Sequence, residues 1–121
     1  MRDVDVGGTP LRVEVADDPM ERERGLTFRR SIRRDHGMLF VFPDARPRSF
    51  WTVDTPLTLS LAYLDGDGRI ITLLDPEPNA RKPLLSVGYA QYAIETERGW
   101  FADHGLGVGT VVGGLPGPAA Q

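Results

Sequence analysis

The chain contains no cysteine. Disulfides, thiolate nucleophiles and cysteine-held zinc or iron–sulfur centres are therefore excluded. A chain without thiols folds equally well on either side of a membrane, so composition says nothing of the redox compartment. Histidine is scarce: only His36 and His104 are present. Lysine occurs once, as Lys82, so arginine supplies nearly all the positive charge. No apolar run approaches the ~20 residues that span a bilayer. Met1-Arg2-Asp3-Val4-Asp5 lacks the apolar stretch of a secretory signal. The expectation is a cytoplasmic protein with no membrane contact.

What is present is ordinary for a folded domain. A chain of 121 residues with 40% hydrophobic and 26% charged residues fits one globular domain large enough to bury its own core. Net charge is −3, unevenly spread. Residues 20–50 hold eight arginines (22, 24, 29, 30, 33, 34, 46 and 48) against Glu21, Glu23, Asp35 and Asp44. That segment carries an excess of about four positive charges, and the remainder is correspondingly acidic. A basic stretch of this kind can bind phosphate or RNA. The acidic balance, with a pI of about 5.3, disfavours nucleic acid as a partner, and the stretch is read as a solvated rim.

Punctuation by turn residues divides the chain into short strands. Val4 and Val6, then Leu11, Val13 and Val15, alternate with polar residues about Gly7-Gly8, the pattern of a β-hairpin. Asp18, Pro19 and Glu21 give a helix start with a capping box, and Gly25 ends it. Gly37-Met38-Leu39-Phe40-Val41-Phe42 reads as a buried strand ended by Pro43-Asp44. Residues 48–53 and 57–64 read as two more strands, and Asp65-Gly66-Asp67-Gly68 as a hairpin turn into a return strand over 69–74. Residues 75–83 hold three prolines and read as an exposed loop. Residues 89–95 alternate as a strand. Thr96 is expected to cap a short helix reaching His104, and 108–112 to close the sheet. Residues 113–121 read as a flexible Gly/Pro-rich tail after a single domain spanning 1–112. Seven or eight short strands with two short helices predict a mainly β fold, a small closed or partly open barrel or sandwich.

Three blocks carry a resemblance: Glu21-Arg22-Glu23-Arg24-Gly25-Leu26, then Gly37-Met38-Leu39-Phe40-Val41-Phe42-Pro43, then Ser49-Phe50-Trp51. With Asp67-Gly68-Arg69-Ile70, Tyr92-Ala93-Ile94-Glu95 and Gly105-Leu106-Gly107-Val108-Gly109, they make the chain resemble the uncharacterised prokaryotic family called domain of unknown function 192. The resemblance covers roughly residues 11–112. It implies a mostly β fold with one early helix, and no activity that can be carried over. The family usually runs Met-Lys-Asn-Thr after the tryptophan, where this chain has Thr52-Val53-Asp54-Thr55. It usually has an aspartate where this chain has Ser60. Many relatives carry an export signal.

Chemistry-bearing patterns are few. The histidines lie far apart, each before a glycine, and are read as helix or turn ends that suit imidazole rather than as metal ligands. Asp65-Gly66-Asp67-Gly68 resembles a calcium loop, but Arg69 fills a position that needs an oxygen donor, so a hairpin turn is preferred. The four serines lack the Gly-x-Ser-x-Gly context of a hydrolase. No metal and no cofactor are expected. The most suggestive segment is 48–54: on a strand, Arg48, Phe50 and Asp54 share one face, whereas Trp51 faces the core. Arg48, Phe50, Asp54 and Glu95 are the candidate ligand-binding residues, with a surface Arg48–Asp54 pair as the plainer account. The leading expectation is a binding or accessory module for a small molecule or protein partner, without catalysis. The runner-up is a hydrolytic or carbohydrate-modifying enzyme using Asp54 and Glu95. A phosphate- or RNA-binding module using the stretch from Arg29 to Arg48 stands third.

Overall fold

The alternating N-terminal pattern forms the hairpin it predicts. β1 (Arg2–Val6) pairs antiparallel with β2 (Thr9–Ala16), Val4 opposite Leu11 and Val6 opposite Thr9. Gly7 and Gly8 make the turn, and Val4, Val6, Leu11 and Val13 are buried on one face. The computed structural model describes residues 1–27, 29–51, 55–79 and 82–120. Helix α1 (Pro19–Arg24) begins as its capping sequence dictates: Glu21 N donates to Asp18 Oδ1 at 2.8 Å, and Asp17 N to Glu21 Oε1 at 3.3 Å. Gly25, at φ +46°, ends it.

The following strands are β3 (His36–Arg46), β4 (Ser49–Phe50), β5 (Leu59–Leu64), β6 (Ile70–Leu74), β7 (Leu84–Leu85) and β8 (Ala90–Glu97); helix α2 (Trp100–Asp103) and β9 (Val112–Gly113) complete the chain. Seven strands form one sheet in the order β6-β5-β8-β3-β2-β1-β9, and β4 pairs with β7 in a small second sheet. All pairs are antiparallel except β2 with β3, so the chain between those two, which holds α1, is a crossover.

The edges of the large sheet meet at one end. Arg69 and Val111 form an antiparallel bridge; Ile70 N donates to Thr110 O and Val112 N to Gly68 O, each at 2.8 Å. The fold is the expected mainly β domain, a sheet curled into a partly closed barrel. Its interior is filled by Val13, Leu39, Val41, Leu64, Ile94, Trp100 and Phe101. Because β3, β5 and β8 sit centrally, their alternate side chains face outward and are equally buried. Phe40, Phe42, Leu59, Leu61, Tyr63 and Ala93 form a second core with Leu26 and Leu84, and Phe50 packs against it.

Three local expectations are corrected. Pro43 does not end its strand: β3 continues to Arg46 through a bulge, because Val41 pairs with Tyr92 and the next paired residue, Arg46, with Ala90. Proline is accommodated where the ladder is interrupted, and Gln91 Nε2 donates to Phe42 O there at 2.5 Å. Thr96 does not cap a helix; it belongs to β8, and the N-cap of α2 is Gly99, whose φ of +88° no threonine matches cheaply. Residues 48–53 supply only the short β4, and Thr52 and Val53 lie outside the described residues. Beyond β9, Arg2 Nε donates to Gly114 O at 2.7 Å, Tyr92 Oη to Pro116 O at 2.6 Å, and Ala119 N to Phe42 O at 3.2 Å.

Candidate functional site

On the outer face of the sheet, α1 with its following turn stands opposite β4, leaving a cleft of about 390 Å³. Alternation along β3 and β8 builds its floor. Residues of one parity on β3 send Phe40 and Phe42 outward, and the matching parity on β8 sends Ala93 and Glu95 to the same side. Arg22, Gly25 and Thr27 contribute one wall; Ser49, Phe50, Trp51 and Thr55 contribute the other. Gly25 belongs there for a second reason: a Cβ on it would lie 3.2 Å from the Phe40 ring.

Glu95 is the chemical centre of this arrangement. It pairs across the sheet with Met38 on one side and Leu61 on the other, so apolar neighbours surround it, and it is 5% exposed. Burial pushes its carboxyl from the usual 4.5 up to about 7. Among the described residues, none hydrogen-bonds its carboxyl oxygens. Tyr63, on the same face, donates its hydroxyl to Leu84 O, and burial followed by the negative charge of Glu95 holds its pKa well above the usual tyrosine range. Phe50 closes the aromatic group edge-on, its ring centroid 4.6 Å from that of Phe40 and 5.7 Å from that of Tyr63.

The four sequence candidates therefore separate. Phe50 and Glu95 line the same cleft. Arg48 lies behind Phe42, over whose ring its guanidinium sits at 4.0 Å. Its Nε donates to Ala90 O at 3.1 Å, and its Nη2 to Asp44 Oδ1 at 2.8 Å and to the Asp44 carbonyl. The side chain thus clasps the β3 bulge. Asp54 lies outside the described residues. Trp51, expected in the core, is 56% exposed on the cleft rim. The face-sharing rule that assigned it inward needs a continuous strand, and β4 ends at Phe50.

Sequence reasoning also missed Arg22, Thr27 and Thr55, which meet only through the crossover. Arg22 Nη1 donates to Val41 O at 3.0 Å, and its guanidinium lies 5.6 Å from the Phe42 ring centroid. Ser60 is buried but points away from the cleft. Its hydroxyl donates to Asp75 Oδ1 at 2.6 Å and accepts from Gly99 N at 3.0 Å, joining β5 to the start of α2.

The other motifs take the plainer roles assigned to them. Asp65 Oδ1 accepts from the backbone amides of Asp67 and Arg69, both at 2.9 Å, as a hairpin turn requires. His104 closes α2, its Nδ1 2.8 Å from Trp100 O; bonding to a carbonyl makes that nitrogen the donor. Asp17, Asp18 and Glu21 are the one group among the described residues near enough to share a cation; they are exposed, and Asp18 and Glu21 already serve the start of α1. Of the arginine stretch, Arg29 pairs with Glu14, and Arg46 and Arg48 pair with Asp44. Among the described residues, no helix is long and apolar enough to cross a membrane.

Sheet, cleft and crossover all fall within residues 2–114, which match the family model for domain of unknown function 192, described as an uncharacterized ACR. No curated protein matches the chain. Among solved structures, a candidate transcription regulator from Sinorhizobium meliloti 1021 is 33% identical, with a TM-score of 0.89, over 93% of this chain and 92% of that one. A protein of unknown function from Novosphingobium aromaticivorans DSM 12444 is 28% identical, with a TM-score of 0.82, over 91% of this chain and 82% of that one. The chain belongs to the domain of unknown function 192 family.

Proposed function

We propose that this protein is a binding module whose small-molecule ligand occupies the cleft between α1 and β4. The observation that carries the reading is Glu95: a carboxyl buried among apolar side chains, at the floor of an open cleft walled by aromatic rings. Removing most of the water around an acid without giving it a protein partner is costly, and a bound hydrogen-bonding ligand offsets that cost. A concave, largely apolar site with a few convergent polar groups is the usual form of a ligand pocket. The test is a class-neutral fragment screen by amide NMR. Hits are expected to shift the amides of residues 24–27 and 49–51 together. Hits that cluster elsewhere, or none at all, would sink the proposal.

A second reading draws on one specific observation. A carboxyl at about pKa 7 is matched to proton transfer at neutral pH, which favours an enzyme with Glu95 as acid or base and Asp54 as its partner. Turnover of a cleft ligand that disappears in Glu95→Gln while binding persists would replace the binding-module reading with this one. The name of the Sinorhizobium relative raises nucleic acid as a third partner. The ion pairs that Arg29, Arg46 and Arg48 make with carboxylates weigh against an open basic face here.

A further inference from the structure

We propose that the cleft takes a neutral polyhydroxylated ligand, a sugar ring stacked on Trp51 with one hydroxyl on the Glu95 carboxyl. This rests on the cleft being the binding site and names the chemistry it selects. The argument begins with charge. Among the described residues the lining carries Arg22 and Arg24 and also Glu23 and Glu95, two guanidiniums against two carboxyls. An organic cation entering the cleft would meet the arginines, and an anion would meet the carboxyls. Either would have to shed its water beside a like charge, which is costly. A neutral ligand avoids both penalties.

Hydroxyl chemistry then narrows the class. Thr27, Ser49 and Thr55 also line the cleft, each with a hydroxyl that can donate and accept. Glu95 sits below them, able to accept a hydrogen bond when ionised and to donate one when protonated. A ligand that satisfies groups on both walls and on the floor must carry polar groups around its whole edge. A sugar ring does so and keeps an apolar face of C–H bonds. Trp51 supplies the complementary surface: its indole is 56% exposed at the rim, and covering it with an apolar face is favourable. A flat aromatic heterocycle would stack equally well but would leave most of the hydroxyls unanswered.

The experiment titrates the protein with glucose, galactose, N-acetylglucosamine and maltose, and in parallel with tetramethylammonium, acetate, inorganic phosphate and adenosine. Amide NMR and tryptophan emission are followed together. Trp100 is 1% exposed, so a ligand-induced emission change reports Trp51. At least one saccharide is expected to give saturable shifts confined to amides of residues 24–27 and 49–51. Trp51→Ala should weaken binding roughly tenfold, and Glu95→Leu at least as much, because it leaves a ligand hydroxyl unpaired. Trp51 is exposed, so its variant folds even if the Glu95 variant does not. Saccharide binding indifferent to Trp51→Ala overturns the proposal. If no saccharide binds but one of the other four probes shifts the cleft amides, the ligand class is wrong and the cleft reading stands. If no probe in either set shifts them and the fragment screen also leaves them unmoved, both fail.

Discussion

At the scale of single residues, Glu95 has a cost that can be measured. Its carboxyl ionises near 4.5 in an unfolded chain and at about 7 in the fold. Between those values the folded state keeps a proton that the unfolded state has released. Stability contributed by the protonated form is therefore lost as pH rises through this window and stays low above it. The full difference is about 3 kcal/mol. We predict that Glu95→Gln removes the decline and leaves the variant more stable than the parent at pH 8, by up to ~3 kcal/mol. Urea unfolding across a pH series checks this; parallel curves for the two proteins would show Glu95 already ionised. Glu14 works in the opposite sense: its hydrogen bond from Arg29 lowers its pKa. That contribution is lost only as pH falls below the ordinary glutamate range. The sequence made Glu95 visible as a candidate but not as a buried one. On β8 both faces are covered, so burial does not alternate along the strand and no periodicity sets Glu95 apart. Phe50 was legible for the same site because it lies within β4, whereas Trp51 falls one residue past its end.

At the scale of elements, turns proved easier to read than strand ends or partners. The Gly7-Gly8 and Asp65 turns, the capping box of α1 and the run along β3 follow from local chemistry that a sequence displays directly. The β3 bulge, the parallel pairing of β2 with β3, and the meeting of β6 with β9 depend on contacts far apart in the chain, which no local pattern encodes. Gly68 tests the last of these. It has φ +82°, and a Cβ there would lie 2.6 Å from Val112 O. We predict that Gly68→Ala costs at least ~2 kcal/mol, combining backbone strain with the clash. Amide exchange at Ile70 and Val112 should accelerate with it. Gly8→Ala is the internal control: its φ is +94° with nothing within 4 Å, so only strain of about 1 kcal/mol is expected. Equal losses in the two variants would mean that the contact between β6 and β9 adds nothing.

At the scale of the whole molecule, residues 114–119 tie the two ends of the chain to the barrel. Arg2 reaches Gly114, Tyr92 reaches Pro116 and Ala119 reaches Phe42, while Leu115 and Ala119 pack against the interior core. We predict that ending the chain at Gly114 lowers stability by about 1–3 kcal/mol, the cost of exposing Tyr92 and leaving polar groups unpaired. Thermal melts check the loss. An unchanged melting temperature would mark the segment as the free tail its glycines and prolines suggest.

The central place of β8 also governs how the protein comes into being. β8 lies between β5 and β3 in the sheet, yet it is among the last strands to be made. Until residues 90–97 emerge, the inner edges of β3 and β5 stay open, each a run of apolar residues with unpaired amides. At typical translation rates the 25 residues from the end of β5 to the start of β8 take about 1–5 s. For that interval the nascent chain offers two sticky templates for mispairing. The two parts of the sheet, β1-β2-β3 and β5-β6, can therefore join only once the late strand between them has been made.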